Sequence, residues 1–318
     1  MGPRKRRRRC HRRTFAPRSP SPPASLLDPR PPLLTILLDG IAYGMLLFIL
    51  ACGLTVTLGL MNFVNLAHGA FAMLGAYVAV LLTRDLHWPF LLALPAAFAA
   101  AALAGFLLER TLYRHMYRRG PLDQVLFSIG LVFMASSAAD YFLGSAKQLV
   151  DLPRWLAARL EIGPVSIGLY RLLVMAVCGV IALGIALIVS RTGFGARLRG
   201  AVDNARVAAG LGIDVERIFA VTFALGCGLA GLGGGMAAAL IGVDPGFPIE
   251  YMVYFLIVVT VGGAGNLPGT LAAALLLGIS DVAGKYYLPQ AGAFIIYAVM
   301  VAALLLRPRG LFAGAGVR

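Results

Sequence analysis

Few groups in this 318-residue chain could do chemistry, and those that could stand in apolar surroundings. Asn62, Asn65 and His68 interrupt one hydrophobic stretch within Gly59–Gly69 (GLMNFVNLAHG), and Asn266 interrupts another within Gly262–Gly269 (GGAGNLPG). Asp39, Asp123, Asp140 and Asp281 lie in or beside such stretches, and Lys285 follows Asp281 at the spacing that lets two charges pair along a helix. Covalent catalysis needs a nucleophile with a base, or a metal set. The chain has no HExxH, no GxSxG and no paired His/carboxylate cluster, and His68 has no second ligand at metal-binding spacing. The Gly284–Lys285 pair is followed by Tyr286 and lacks the GxxxxGK[ST] spacing of a phosphate loop. What remains is non-covalent handling of a solute. Polar groups and unwound backbone are tolerated inside a membrane where they face protein or a watery cavity. Asn62, Asn65, His68 and Asn266 therefore either line and gate a pathway or hydrogen-bond neighbouring helices. Asp281 and the other acids either serve that pathway or sit near an interface.

The elements that must position these groups are membrane helices. Hydrophobic residues make up 59% of the chain and charged residues only 13%, about half the charged share of an ordinary soluble domain. From Pro31 to Thr83 the only charge is Asp39. Leu86–Leu108, Leu172–Ser190, Ile218–Val243, Tyr251–Ser280 and Tyr286–Leu306 carry none. A spanning helix needs roughly 20 such residues. The expected fold is all-α and polytopic, with about eight to ten transmembrane helices, broken or re-entrant segments and an inverted repeat suggested by the two matching interruptions. The Gly/Ala-rich runs Gly226–Ala239 and Ala272–Gly278 read as faces where helices approach closely. Cys10, Cys52, Cys178 and Cys227 form no close pair, which excludes a disulfide framework and a CxxC metal site.

The net charge of +14 is concentrated at one end. Residues 1–32 hold ten Lys/Arg and one acid, leaving 18 basic and 13 acidic groups in the remaining 286 residues. The body is thus no nucleic-acid binder, and residues 1–32 read as a disordered Arg/Pro-rich tail. Residues 33–313 form the membrane-spanning body, and 314–318 a short C-terminal tail. Arginines cluster at 110–119, at 191–217 and at 307–318, which places these segments in the cytoplasm; Gly242–Glu250 and Gly144–Tyr170 then lie outside. With both termini cytoplasmic, residues 33–83 and 251–306 each need an odd number of passes.

The segment 191–217 (RTGFGARLRGAVDNARVAAGLGIDVER) has helical periodicity, with Leu198, Ala201, Val202, Ala205, Ala208 and Ala209 on one side. Arg199, Asp203 and Arg206 lie opposite and can pair, and Gly210 and Gly212 end the helix. A short amphipathic helix with a mostly alanine face suits a shallow groove in a partner protein or the lipid surface.

Gly53–Ala79 (GLTVTLGLMNFVNLAHGAFAMLGAYVA) resembles the signature of the branched-chain amino acid permease family of the LivH type. The resemblance continues in Pro121–Phe133, Arg199–Gly234, Gly262–Asp281 and Arg307–Phe312 and spans about residues 33–313. It implies one membrane subunit of an ATP-driven importer in the bacterial inner membrane, with two ATPase subunits, a second LivM-like permease or a second copy of this chain, and a periplasmic binding protein. ATP and Mg would reside on the ATPase, and no cofactor on this chain. The resemblance assigns ATPase coupling to the helix spanning Arg197–Gly212, with Arg197, Arg199, Asp203, Arg206, Gly210 and Gly212. It implies branched-chain amino acids as cargo, with urea or short amides as the alternative. A stand-alone ion- or proton-coupled transporter would also explain broken helices and buried acids, but not the alanine-rich cytoplasmic helix.

Overall fold

The computed structural model describes residues 33–60, 63, 65–117, 119–162, 165–308 and 310–311. The two tails assigned from the sequence, 1–32 and 314–318, lie outside them. Among the described residues, nine apolar helices make up the bundle: α1 (Leu33–Leu60), α2 (His68–Arg84), α3 (Phe90–Met116), α4 (Pro121–Leu143), α5 (Leu169–Arg191), α8 (Val215–Ala237), α9 (Phe247–Gly262), α10 (Leu267–Tyr287) and α11 (Gly292–Leu306). Six are long and apolar enough to cross a bilayer; α2, α9 and α11 are shorter. Two short helices, α6 (Gly193–Asp203) and α7 (Ala205–Gly210), connect α5 to α8. Strands β1 (Arg159–Ile162) and β2 (Val165–Gly168) form an antiparallel hairpin before α5. The hairpin marks one end of the bundle, and α6–α7 mark the other.

Glycine sets the packing. A Cβ at Gly75 of α2 would lie 2.2 Å from the Gly231 carbonyl of α8, and one at Gly234 of α8 would lie 1.9 Å from the Ala72 carbonyl of α2. Gly44 and Gly278 bring α1 and α10 into the same backbone contact. Lipid offers no hydrophobic drive for helix association, so this close van der Waals approach holds the bundle together. In α8, 72% of the apolar stretch is buried by other helices, against 17% in α4 and 11% in α5. That makes α8 the central helix and leaves α4 and α5 at the periphery.

The direction of α1 follows from its contacts. Asp39, near its start, pairs with Arg171 at the hairpin end of α5. Gly40 lies against Ile279, and Thr55 hydrogen-bonds Thr270 at 3.0 Å, so α1 and α10 are antiparallel. The Leu311 amide donates to the Val261 carbonyl at 2.8 Å, fixing the chain after α11 beside the α9–α10 turn. Leu33 therefore lies at the hairpin end and Leu306 at the α6–α7 end. This differs from the odd number of passes expected for residues 33–83; the chain's N-terminus itself lies outside the described residues. Residues 33–84 form two helices of opposite direction, whereas the stretch closing the chain forms three. The physical reason is the 28-residue length of α1, which crosses the bundle in one continuous pass. The 144–168 and 238–246 segments meet at the hairpin end through paired backbone bonds between Gln148 and Val243, both 2.8 Å.

Candidate functional site

The α5–α8 connection is built as a double elbow. The Thr192 hydroxyl donates to the Ile188 carbonyl at 2.6 Å and accepts from the Gly195 amide at 3.3 Å, ending α5 and capping α6. A Cβ at Gly195 would lie 2.2 Å from the Val189 carbonyl, so the turn closes only around glycine. The Arg199 guanidinium donates to that same Val189 carbonyl and ties α6 back onto α5. Asn204 is extended, at φ −155° and ψ 93°, and its Oδ1 accepts from the Val207 amide at 3.0 Å to cap α7. Gly212, at φ +82°, releases the chain, and Asp214 caps α8 by accepting from the Arg217 amide at 2.9 Å.

The single amphipathic helix expected over this segment is thus two, because Asn204 satisfies the start of a new helix better than it continues the old one. Leu198, Ala201 and Ala208 face the protein, while Ala205 and Ala209 are exposed. The expected pairing of Arg199, Asp203 and Arg206 is absent; Arg199 is taken by a backbone carbonyl, and Asp203 makes no ion pair among the described residues. Arg197, Arg199, Asp203 and Arg206 are exposed, as are the apolar Val207 (56%) and Leu211 (77%). Gly210 is the last residue of α7.

The first interruption is held from three directions. Asn62 lies outside the described residues. Asn65 is buried, and its Oδ1 accepts from the Ala67 amide and the Tyr113 hydroxyl, each at 3.1 Å. Tyr113 reaches it from a π-helical turn, Glu109–Tyr113, near the end of α3. Phe63 packs edge-on against Tyr113 and Tyr117. His68 starts α2 and bonds the Leu50 carbonyl at 2.9 Å through Nε2. Its Nδ1 and the Asn65 Nδ2 are buried without a partner. No pattern in the sequence singled out Tyr113; it lies among the arginines that end α3.

The second interruption is a tight turn at the α6–α7 end. Gly263 and Gly265 take positive φ (93° and 80°), and the Asn266 side chain accepts from the Gly269 amide at 3.0 Å, capping α10. Asn266 also receives the Thr270 hydroxyl on its carbonyl at 3.0 Å. The two interruptions therefore differ: one leads to a helix start beside Leu50 and Gly53, deep in the bundle, and the other caps a helix at its end.

Asp281 lies near the hairpin end of α10 and is 1% exposed. Its Oδ2 pairs with Lys285 Nζ at 2.6 Å, as the four-residue spacing predicts, while Oδ1 is buried without a partner. Lys285 is half exposed and lies 5.7 Å from the Tyr43 ring centroid. Tyr254 of α9 tilts against Tyr251 at 5.7 Å and against Tyr297 of α11 at 6.5 Å. Of the other acids, Asp39 is paired with Arg171, and Asp123 and Asp140 are exposed on α4. A separate cavity of about 460 Å³ between α2, α3 and α4, lined by Met73, Leu108, Met134 and Phe142 among others, is almost wholly apolar and offers no charge to a polar solute.

No group of three or more His, Cys, Asp or Glu able to hold a metal occurs among the described residues. The described residues thus form a multi-pass apolar bundle with a capped elbow at one end and a buried aspartate paired with a half-exposed lysine toward the other. The family described as "Branched-chain amino acid transport system / permease component" matches residues 36–304, and the chain belongs to it. It is 26% identical over 292 residues to the high-affinity branched-chain amino acid transport system permease protein BraD of Pseudomonas aeruginosa, covering 86% of this chain and 94% of BraD. It is 28% identical over 294 residues to the probable branched-chain amino acid transport permease protein LivH of Methanocaldococcus jannaschii, covering 87% and 91%. Identity to LivH of Escherichia coli, described as a high-affinity branched-chain amino acid transport system permease protein, is 24% over 288 residues, covering 86% and 93%. No solved structure matches the chain.

Proposed function

We propose that this chain is the membrane-spanning subunit of an ATP-driven importer for branched-chain amino acids or a similar small polar solute. The observation that carries the proposal is the double elbow. It is rigidly capped at Thr192, Asn204 and Asp214, and it presents Val207 and Leu211 outward beside Arg197, Asp203 and Arg206. A segment that only rested on the bundle would turn its larger apolar groups inward. Here Leu198 turns inward and anchors the elbow, while Val207 and Leu211 face away, as a docking surface for a partner requires. That partner is an ATPase, since the chain's own sequence has no phosphate-binding loop.

In this reading the α6–α7 end is cytoplasmic, which agrees with the arginines at 110–119, 191–217 and 307. The hairpin end faces the periplasm and receives solute from a binding protein. A second permease subunit, LivM-like or a second copy, completes the pathway. ATPase closure moves the elbow, and α8, joined to it through Asp214 and packed by glycine against α1, α2 and α3, carries the motion inward. Asn65, His68 and Asn266 hold the interruptions that let α2 and α10 shift. Chemistry in this chain is limited to binding and release, with ATP and Mg on the ATPase.

The test is co-purification of this chain with its ATPase, followed by binding-protein-stimulated ATP hydrolysis in proteoliposomes. Val207→Asp with Leu211→Asp removes both association and stimulation if the elbow docks the ATPase. Gradient-driven uptake by this chain alone, with no ATPase association, contradicts the proposal and favours a secondary transporter. Uptake of urea or short amides in preference to leucine changes the cargo and leaves the mechanism standing.

A further inference from the structure

The Asp281–Lys285 pair is incompletely satisfied in a specific way. Asp281 is 1% exposed, yet only Oδ2 is engaged; Oδ1 is buried and unpartnered. A buried carboxylate oxygen without a donor is rare in folded proteins and calls for a reason. Lys285 has three donor hydrogens and a half-exposed side chain, so at least one N–H remains for a further acceptor. Its ammonium also stands 5.7 Å from the Tyr43 ring centroid. The acid sits six residues before the end of α10, about 9 Å along the axis from Tyr287, which keeps it inside the apolar body.

We propose that Asp281, Lys285 and Tyr43 form a binding site on the hairpin side for the zwitterion of an α-amino acid. This deepens the importer reading and rests on it. The incoming ammonium displaces Lys285 from Asp281, which holds it through both carboxylate oxygens. Lys285, released, binds the solute's carboxylate. The aliphatic side chain lies against the face of Tyr43. Because Lys285 closes over Asp281 when no solute is present, the buried acid is never left without a cation, and ions of one sign gain nothing by entering. An aromatic belt at the bilayer interface explains exposed tyrosines, but it does not explain an orphaned oxygen on a buried aspartate. The apolar cavity between α2, α3 and α4 lacks charged groups and cannot select a zwitterion.

The test uses the full assembly, this chain with its ATPase and binding protein, in proteoliposomes, with leucine as probe. Asp281→Asn is expected to lower leucine uptake about tenfold or more, the loss of a charged contact, while binding-protein-stimulated ATP hydrolysis persists. The double swap Asp281→Lys with Lys285→Asp keeps an ion pair but reverses its polarity. It is expected to retain stimulated hydrolysis and to lose uptake. Wild-type uptake by Asp281→Asn, or recovery of uptake in the swap, overturns the site and leaves a helix staple in its place. Failure of both variants to assemble also overturns it, since the pair is then needed for folding. If the wild-type chain takes up leucine without any ATPase, the importer reading falls, and the same variants still read the site through that uptake.

Discussion

The Tyr113 hydroxyl of α3 donates to Asn65 Oδ1 at 3.1 Å, linking the α6–α7 end of one helix to the interruption between two others. Asn65 has one further acceptor contact, from the Ala67 amide, and an unpartnered Nδ2. Tyr113→Phe removes one of the two bonds that orient the asparagine and should destabilise the protein by about 1 kcal/mol. A thermal unfolding scan in detergent, compared with wild type, measures it. An unchanged midpoint would show that the interruption is held by Phe63 packing and His68 alone.

The contact between α2 and α8 has no room for a methyl group. Gly234→Ala places a Cβ 1.9 Å from the Ala72 carbonyl, and the clashing atom is backbone. The cost should reach the upper part of the roughly 1–3 kcal/mol range for overpacking, or exceed it. Gly130→Ala on α4, where no atom lies within 4 Å, should be neutral. Yield of monodisperse protein after purification separates the two; equal yields would contradict the packing described.

The elbow depends on Gly195. Gly195→Ala drives a Cβ to 2.2 Å from the Val189 carbonyl, the same atom that receives Arg199, and should open the α5–α6 turn. The bundle lies outside this turn, so the variant should insert and fold while losing most ATPase stimulation. Stimulated hydrolysis at the wild-type rate would remove the elbow's geometry from the mechanism.

The direction of α1 is testable by thiol labelling. The described cysteines Cys52, Cys178 and Cys227 are buried, so with Cys10 replaced an introduced thiol reports its own side. Cysteines at Leu33 and Leu288 should react from the same side of the membrane, and one at Arg307 from the other. Labelling of positions 33 and 307 from one side would contradict the antiparallel packing of α1 and α10.

Much of this organisation was legible in the sequence, and the parts that were not share a cause. Uncharged runs located the helices, and arginine clusters grouped the loops that the structure places at one end. The glycine runs 226–239 and 272–278 do lie at close helix contacts. Spacing alone gave the Asp281–Lys285 pair. Composition could not say that α1 crosses in one pass, because the 28 residues of α1 also fit a helix plus half of a re-entrant pair. It could not foresee the break at Asn204, since periodicity is blind to a single extended residue whose side chain caps the next helix. Tyr113, Arg171 and Tyr43 are distant in sequence from their partners, and only folding brings them together.

The central claim is that the α6–α7 elbow couples this membrane subunit to an ATPase. Its most direct test is binding-protein-stimulated ATP hydrolysis by the reconstituted assembly, wild type against Val207→Asp with Leu211→Asp. The account predicts stimulated hydrolysis in the wild type and its loss in the variant, with the membrane bundle folded in both. Equal stimulation in both, or hydrolysis indifferent to this chain's presence, would contradict it.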